Sequence, residues 1–168
     1  SAGEITSTDI NALVQANLRR TYTLIKNQEP YFDTVIETNL NDTIGRISVI
    51  PQDIGRVIYN VLSNALYATY AKKKTADELY QPTVQVSTYK DNETISIAIK
   101  DNGIGMASDV SLKIFQPFFT TKPSGEGTGL GLSLSFDIVR SHGGRIIVES
   151  EEEVGSTFII QLPNNSKK

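Results

Sequence analysis

Four glycines at alternate positions, Gly125, Gly127, Gly129 and Gly131, run directly into the apolar stretch that continues through Leu132-Ser133-Leu134. Glycine lets the backbone take φ > 0 and approach a ligand closely, and the first turn of a following helix offers unpaired N–H groups and the positive end of its dipole. That combination suits an anion, above all phosphate. The spacing is neither the P-loop pattern nor the strand-linked Gly-x-Gly-x-x-Gly of dinucleotide sites. A different kind of phosphate binder is therefore implied, with a plain hinge or tight turn as the alternative.

Three further groups of residues could act beside it. Asn60 and Asn64 are four apart in a helical pattern, so they lie about 40° apart on one edge of a helix and can point to a single spot. Asp101-Asn102-Gly103-Ile104-Gly105-Met106 places an acid at the root of a short glycine loop, the kind of loop mouth that ligands favour. Phe115-Gln116-Pro117-Phe118-Phe119-Thr120-Thr121-Lys122-Pro123 is aromatic, flanked by prolines, and reads as a hinged lid that opens into the glycine run.

The elements that must position these groups follow from periodicity. Asp9 is an N-cap for a first amphipathic helix carrying Ile10, Leu13, Val14, Leu18, Tyr22 and Ile25 and ending near Asn27. Thr34 to Leu40 and Arg46 to Ile50 read as two strands of a hairpin around Asn41-Asp42-Thr43-Ile44-Gly45. After Pro51 comes the clearest helix, with Ile54, Val57, Ile58, Val61, Leu62, Ala65, Leu66 and Thr69 on one face. Lys72-Lys73-Lys74 reads as a solvated loop or a frayed helix end. Thr83 to Lys90 and Thr94 to Lys100 form a second hairpin, and a short helix is expected around Asp109 to Ile114. The glycine run opens a helix that ends at His142-Gly143-Gly144. Arg145 to Ser150 and Ser156 to Leu162 make a last hairpin, and Pro163 to Lys168 a loose tail.

With 168 residues, 39% of them hydrophobic and 21% charged, the chain fits one domain with a proper core. A net charge of -3 and a pI near 5.2 leave no basic footprint for nucleic acid. No apolar run approaches a membrane span. The absence of cysteine excludes disulfides and thiolate metal sites, so a metal here needs oxygen or imidazole ligands.

In chain order these are a helix with paired asparagines, an acidic glycine loop, an aromatic lid and a glycine-rich helix start. They resemble the N, G1, F and G2 boxes of the catalytic ATP-binding domain of sensor histidine kinases, in the superfamily that includes gyrase, Hsp90 and MutL ATPase domains. The likeness runs from about Asp9 to Pro163. It implies a two-layer α/β sandwich, the Bergerat fold, with a mixed sheet of about five or more strands covered on one face by helices. Residues 1–8 are then a linker from an upstream helical domain, 9–163 the catalytic domain and 164–168 a tail.

The resemblance implies ATP and Mg²⁺ as ligands. Asn64 matches the metal-coordinating asparagine, with Asn60 assisting, and Asp101 matches the acceptor of the adenine amine. Gly103, Gly105 and Met106 would close around the base. Gly127, Thr128, Gly129, Leu130, Gly131 and Leu132 would hold the phosphates, and Phe118 and Lys122 would act from the lid. Tyr67 and Ala68 occupy positions where many relatives carry a basic residue and a tyrosine. In ATP-hydrolysing relatives a glutamate serves as general base where this chain has Asn60, so rapid hydrolysis is disfavoured. His142 is read as a structural helix-end residue.

The expected activity is donation of the γ-phosphate of Mg²⁺–ATP to a histidine on a separate dimerisation and phosphoacceptor domain, in two-component signalling. The chain would then be a protein histidine kinase fragment that cannot autophosphorylate alone. Its partners would be that upstream helical domain and, indirectly, a response regulator receiver domain, with no nucleic acid and no direct membrane contact. A monomeric, cytoplasmic fragment of a parent that is itself membrane-anchored or not is expected. An anti-sigma-type serine kinase and a non-catalytic nucleotide-sensing module remain as alternatives.

Overall fold

The structure is a computed structural model and describes residues 3–117, 119 and 131–165. A short strand β1 (Thr6–Asp9) leads straight into helix α1 (Ile10–Gln28), whose first turn is capped by Asp9 Oδ1 accepting from the Ala12 N–H at 3.0 Å. Strands β2 (Val35–Leu40) and β3 (Arg46–Val49) follow, then the long helix α2 (Pro51–Lys73) with proline in its first turn. Strands β4 (Thr83–Lys90) and β5 (Thr94–Asp101) precede a single helical turn α3 (Ser108–Ser111). The chain closes with helix α4 (Gly131–Ser141) and strands β6 (Arg145–Glu151) and β7 (Gly155–Pro163).

The main sheet has the order β2-β4-β5-β7-β6 and is mixed, with β2 parallel to β4 and all other pairs antiparallel. Period-2 alternation puts Val84 and Val86, Ile95, Ile97 and Ile99, and Phe158, Ile160 and Leu162 on the buried face. Against it pack Ile54, Val57, Ile58, Val61, Leu62, Ala65 and Leu66 of α2, Ile10 and Val14 of α1 and Val139 of α4. Each such side chain contributes roughly 1.5–3 kcal/mol by leaving water. This is the two-layer α/β sandwich that the resemblance implied, with helices on one side of a five-stranded mixed sheet.

One pairing differs from the sequence reading. Residues 34–40 and 46–50 do not form a hairpin: β2 joins β4, and β3 pairs antiparallel with β1, Thr6 opposite Val49. The local turn is real, with Asn41 Oδ1 accepting from the Thr43 N–H at 2.9 Å. Its entry, however, is tied to the main sheet, because the Asn41 N–H donates to Thr88 Oγ1 on β4 at 2.9 Å, and Thr88 Oγ1 in turn donates to Asn11 Oδ1 of α1 at 2.8 Å. Non-local partners thus outcompete the turn. The other two hairpins, β4-β5 and β6-β7, form as read. The short helix ends at Ser111, and turns continue to Phe115.

Two stretches read as loose are tied down. Asn165 exchanges two hydrogen bonds with Ser48 of β3, at 2.8 and 3.1 Å, and the Asn164 amide donates to the Asp91 carbonyl at 2.9 Å. Lys72 and Lys73 belong to the last turn of α2, and the Lys74 ammonium lies 4.6 Å from the centre of the Tyr70 ring.

His142 connects the two helices that flank the nucleotide-like motifs. Its Nδ1 lies 2.9 Å from the Ile138 carbonyl near the end of α4, and its Nε2 lies 3.1 Å from the Ile50 N–H at the start of α2. A carbonyl only accepts and an N–H only donates, so the geometry requires the neutral tautomer with the proton on Nδ1. Nitrogen-15 chemical shifts should report that tautomer in the folded protein. His142→Ala should lower stability by about 1–3 kcal/mol through the Ile50 N–H left unpaired, measured by urea unfolding.

Candidate functional site

The first four residues of interest share α2. Asn60, Asn64, Ala68 and Lys72 follow one another every four residues, so they form a slowly winding row along one edge of the helix. Asn60 uses its NH₂ group on α4: Nδ2 donates to the Gly131 carbonyl at 3.1 Å and to Ser135 Oγ at 3.2 Å, while Ser135 Oγ donates to the same carbonyl at 2.8 Å. This closed triangle ties Asn60 to the first described turn of α4. The Asn60 carbonyl oxygen is left for another partner. Asn64 is half-buried one turn further on, and its side chain has no hydrogen bond among the described residues.

At the far end of the row sits the Asp101 loop. Asp101 ends β5, the central strand, and is 3% exposed. Its Oδ1 accepts from the Gly103 N–H at 2.8 Å, and its Oδ2 is buried without a hydrogen-bond partner among the described residues. An unpartnered buried carboxylate oxygen is costly, so such an atom in a native fold points to a missing donor. Burial pushes the Asp101 carboxyl up to about 6, and the Gly103 and Ser156 amides and the charge of Lys72 pull only partly the other way.

Glycines let the loop turn within this space. A Cβ on Gly103 would sit 2.5 Å from the Ala68 carbonyl carbon, and one on Gly105 would collide with the Glu151 carbonyl. Gly105 also holds φ at +63°. The Ile104 N–H donates to the Ala68 carbonyl at 3.2 Å, and the Met106 N–H to Ser150 Oγ at 2.8 Å. The loop therefore lies between α2 and the β6-β7 hairpin.

The structure brings Gly131 against Asn60 and Gly103 against Ala68, both on α2, puts Asp101 within reach of the Lys72 charge, and sets Gly105 and Met106 against Glu151 and Ser150 of β6. Ala68 serves as a packing surface for Gly103. Tyr67 lines a cavity of about 460 Å³ between α1 and α2 with Thr21, Tyr59, Ser63 and Tyr70. Leu132 and Phe119 pack on the core, and Phe115 lies 5.2 Å from Phe136 and 6.5 Å, edge to face, from Phe158. Phe118, Lys122, Gly127, Thr128, Gly129 and Leu130 lie outside the described residues. Ser135, Ser150, Asn102 and Tyr80 were missed from sequence, since isolated hydroxyls and amides carry no spacing signal. Among the described residues no cluster of three or more His, Cys, Asp or Glu side chains could hold a metal. No helix among them is long and apolar enough to cross a membrane.

The Asp101 shift carries a stability consequence. A carboxyl raised in the fold binds its proton there more tightly than in the unfolded chain, so the fold loses stability as pH rises from about 4 to about 6 and keeps that deficit above. Two units correspond to about 3 kcal/mol. Asp101→Asn should therefore raise the apparent stability at pH 7.5, by up to about 3 kcal/mol, with the gain shrinking toward pH 4. Paired urea titrations at the two pH values measure it.

Comparison with known proteins agrees with this geometry. The profile of the family described as histidine kinase-, DNA gyrase B-, and HSP90-like ATPase matches residues 50–166. The sensor histidine kinase ZraS of Escherichia coli K12 is 33% identical over 157 residues, which is 94% of this chain and 30% of that protein. Sporulation kinase E of Bacillus subtilis is 34% identical over 87% of this chain and 18% of its own length. The chain thus spans less than a third of these curated relatives. Among solved structures, the nucleotide-free catalytic domain of histidine kinase ThkA superposes with a TM-score of 0.75 at 27% identity, covering 96% of this chain and 99% of that one. The mycobacterial sensor histidine kinase MprB, at 23% identity and a TM-score of 0.72, shares the fold. Taken with the paired asparagines and the buried Asp101 loop, these matches show that the chain belongs to the family of histidine kinase-, DNA gyrase B- and HSP90-like ATPases.

Proposed function

We propose that this chain binds Mg²⁺–ATP and presents the γ-phosphate to a histidine on a separate helical domain, as the catalytic part of a two-component sensor kinase. The observation that carries the reading is the buried, unpartnered Oδ2 of Asp101 at the mouth of a glycine loop. An exocyclic amine of adenine supplies the donor that this oxygen lacks. Similarity to sensor histidine kinases along nearly the whole chain supports the kinase over other members of the superfamily.

The remaining roles follow from position. Asn64 Oδ1, with Asn60 Oδ1 beside it on the helix, would hold Mg²⁺ jointly with phosphate oxygens and water, the hard oxygen set that this ion takes. When bound, that ion neutralises charge developing on the phosphates. Gly131, bonded to Asn60 and Ser135, stands at the end of α4 that would face phosphate, with Gly127, Thr128, Gly129, Leu130 and Lys122 proposed to complete the cradle. In the transfer, a histidine nitrogen forms a bond to the γ-phosphorus as the bond to the bridging oxygen breaks and ADP leaves. Positioning and electrostatic stabilisation account for most of such catalysis.

The chain's own residues leave the acceptor to be supplied from elsewhere. His142 is the sole histidine, and both of its ring nitrogens are committed to backbone groups. Asn60, an amide tied to α4, offers no base for water, which suits donation to a protein nucleophile over hydrolysis.

Titration calorimetry with ADP and a non-hydrolysable ATP analogue should show binding that Asp101→Asn weakens by 10-fold or more, on the order of the loss of one charged hydrogen bond. Asn64→Ala should remove the Mg²⁺-dependent part of the analogue's affinity and leave Mg²⁺-free ADP binding within about twofold. Incubation with γ-labelled ATP and an added phosphoacceptor helical domain should move label to histidine. Label on serine of an added protein would favour the anti-sigma-type kinase, and nucleotide binding with no transfer would favour a sensing module.

A further inference from the structure

The Asp101–Met106 loop is held on its outer side by two residues that the nucleotide reading leaves without a role. Tyr80, in the connection between α2 and β4, directs its hydroxyl at Asn102, 3.0 Å from the carbonyl oxygen and 3.1 Å from Oδ1. A phenol has one proton, which the two oxygens share. The rest of the Asn102 amide is bound to the start of β4: Oδ1 accepts from the Thr83 N–H at 2.9 Å and Nδ2 donates to the Gln81 carbonyl at 2.9 Å. Lys72 reaches the other flank. Its Nζ donates to the Glu153 carbonyl at 2.7 Å, and its ammonium stands 5.0 Å from the centre of the Tyr80 ring. Glu153 sits at φ +66° in the β6-β7 turn and donates its N–H to the Ile104 carbonyl at 2.6 Å.

We propose that Lys72 and Tyr80 are positioning residues for base recognition, which together keep Asp101 Oδ2 at one depth for the exocyclic amine of a purine nucleotide. The proposal rests on the nucleotide reading above and assigns its specificity to a clamp outside the four sequence motifs. Tyr80 acts through Asn102, the residue next to Asp101. Lys72 acts through Glu153, which closes the loop over Ile104. The depth matters because a hydrogen bond near 2.9 Å is largely lost once the partners separate by a further ångström.

The electrostatics agree with the geometry. Among the described residues, Lys72 from α2 and Tyr80 from the 74–82 connection are the charged and titratable groups that face Asp101. Lys72 favours the ionised carboxyl against burial. Burial and then the Asp101 charge push the Tyr80 hydroxyl up to about 12, so it remains a donor at any physiological pH. Lys72 thus has two effects, one on shape and one on charge, and Tyr80 has the first alone.

The test compares the parent chain with Tyr80→Phe and Lys72→Met, each titrated with ADP, with inosine diphosphate and with inorganic tripolyphosphate. Inosine carries an oxygen in place of the amine, so a site set by Asp101 should prefer ADP by about 10-fold or more. Both variants should narrow that preference by about fivefold through weaker ADP binding, with inosine diphosphate and tripolyphosphate affinities unchanged. As pH falls through about 6, ADP binding to the parent should weaken relative to inosine diphosphate, which shares the phosphate titration. Lys72→Met should move that limb to higher pH, and Tyr80→Phe should not. Equal losses for both nucleotides, or an unchanged preference in both folded variants, would overturn the clamp and leave the base site intact. A parent without preference for ADP would overturn the base-recognition reading itself and the clamp with it.

Discussion

A carboxylate with one unpartnered oxygen, at the end of the most buried strand of the sheet, constrains much of what surrounds it. Asp101 reaches this place because β5 is the centre of the sheet, covered by α2 and paired on both sides. Burial raises the energy of its ionised form, and only two backbone amides and one lysine offset that. The loop that follows has to turn within a gap bounded by the Ala68 backbone on one side and the Glu151 carbonyl on the other, which admits glycine at 103 and 105 and little else. A fold selected for stability alone would place a neutral residue here. This cost falls at the mouth of the loop proposed here to take a ligand, as stored cost at binding sites often does.

Helix α2 ties this position to α4. Positions 60, 64, 68 and 72 cover about 18 Å along its axis, and each acts on a different neighbour. Asn60 donates to the Gly131 carbonyl of α4, Asn64 stands free of internal hydrogen bonds among the described residues, Ala68 receives the loop, and Lys72 secures the turn behind it. One rigid element thereby holds groups that must keep a set distance from one another. Its opposite face is anchored in the core by Ile54, Val57, Ile58, Val61, Leu62, Ala65 and Leu66, so moving any member of the row means moving the helix against the sheet. His142, bridging the end of α4 to the start of α2, fixes the second helix to the first at the other end.

Much of this was legible in the amino-acid order. Helical and strand periods located α1, α2, α4 and two of the hairpins, because burial of one face imposes a local spacing on apolar residues. The Asp9 cap, Pro51 and the glycine end of α4 mark boundaries through backbone chemistry that is also local. The motifs Asn60–Asn64 and Asp101–Met106 were legible for the same reason, since their members lie within six residues of one another. Their chain order then carried the resemblance to a family.

What the order of residues could not show was decided by contacts between distant segments. The turn at 41–45 was visible, yet β2 and β3 went to different sheets because Thr88 and β1 offered partners that no local rule ranks. Tyr80, Glu153 and Ser150 carry no spacing signal in sequence, and only the packing of β6, its turn and the 74–82 connection sets them around the loop that follows Asp101. The sequence by itself determined which residue types and which elements were available, because propensity, capping and amphipathic period act over a few residues. Tertiary structure alone decided which oxygen is left unpaired and which side chains hold it in place, because desolvation and hydrogen-bond satisfaction depend on everything within a few ångströms, whatever its distance along the chain.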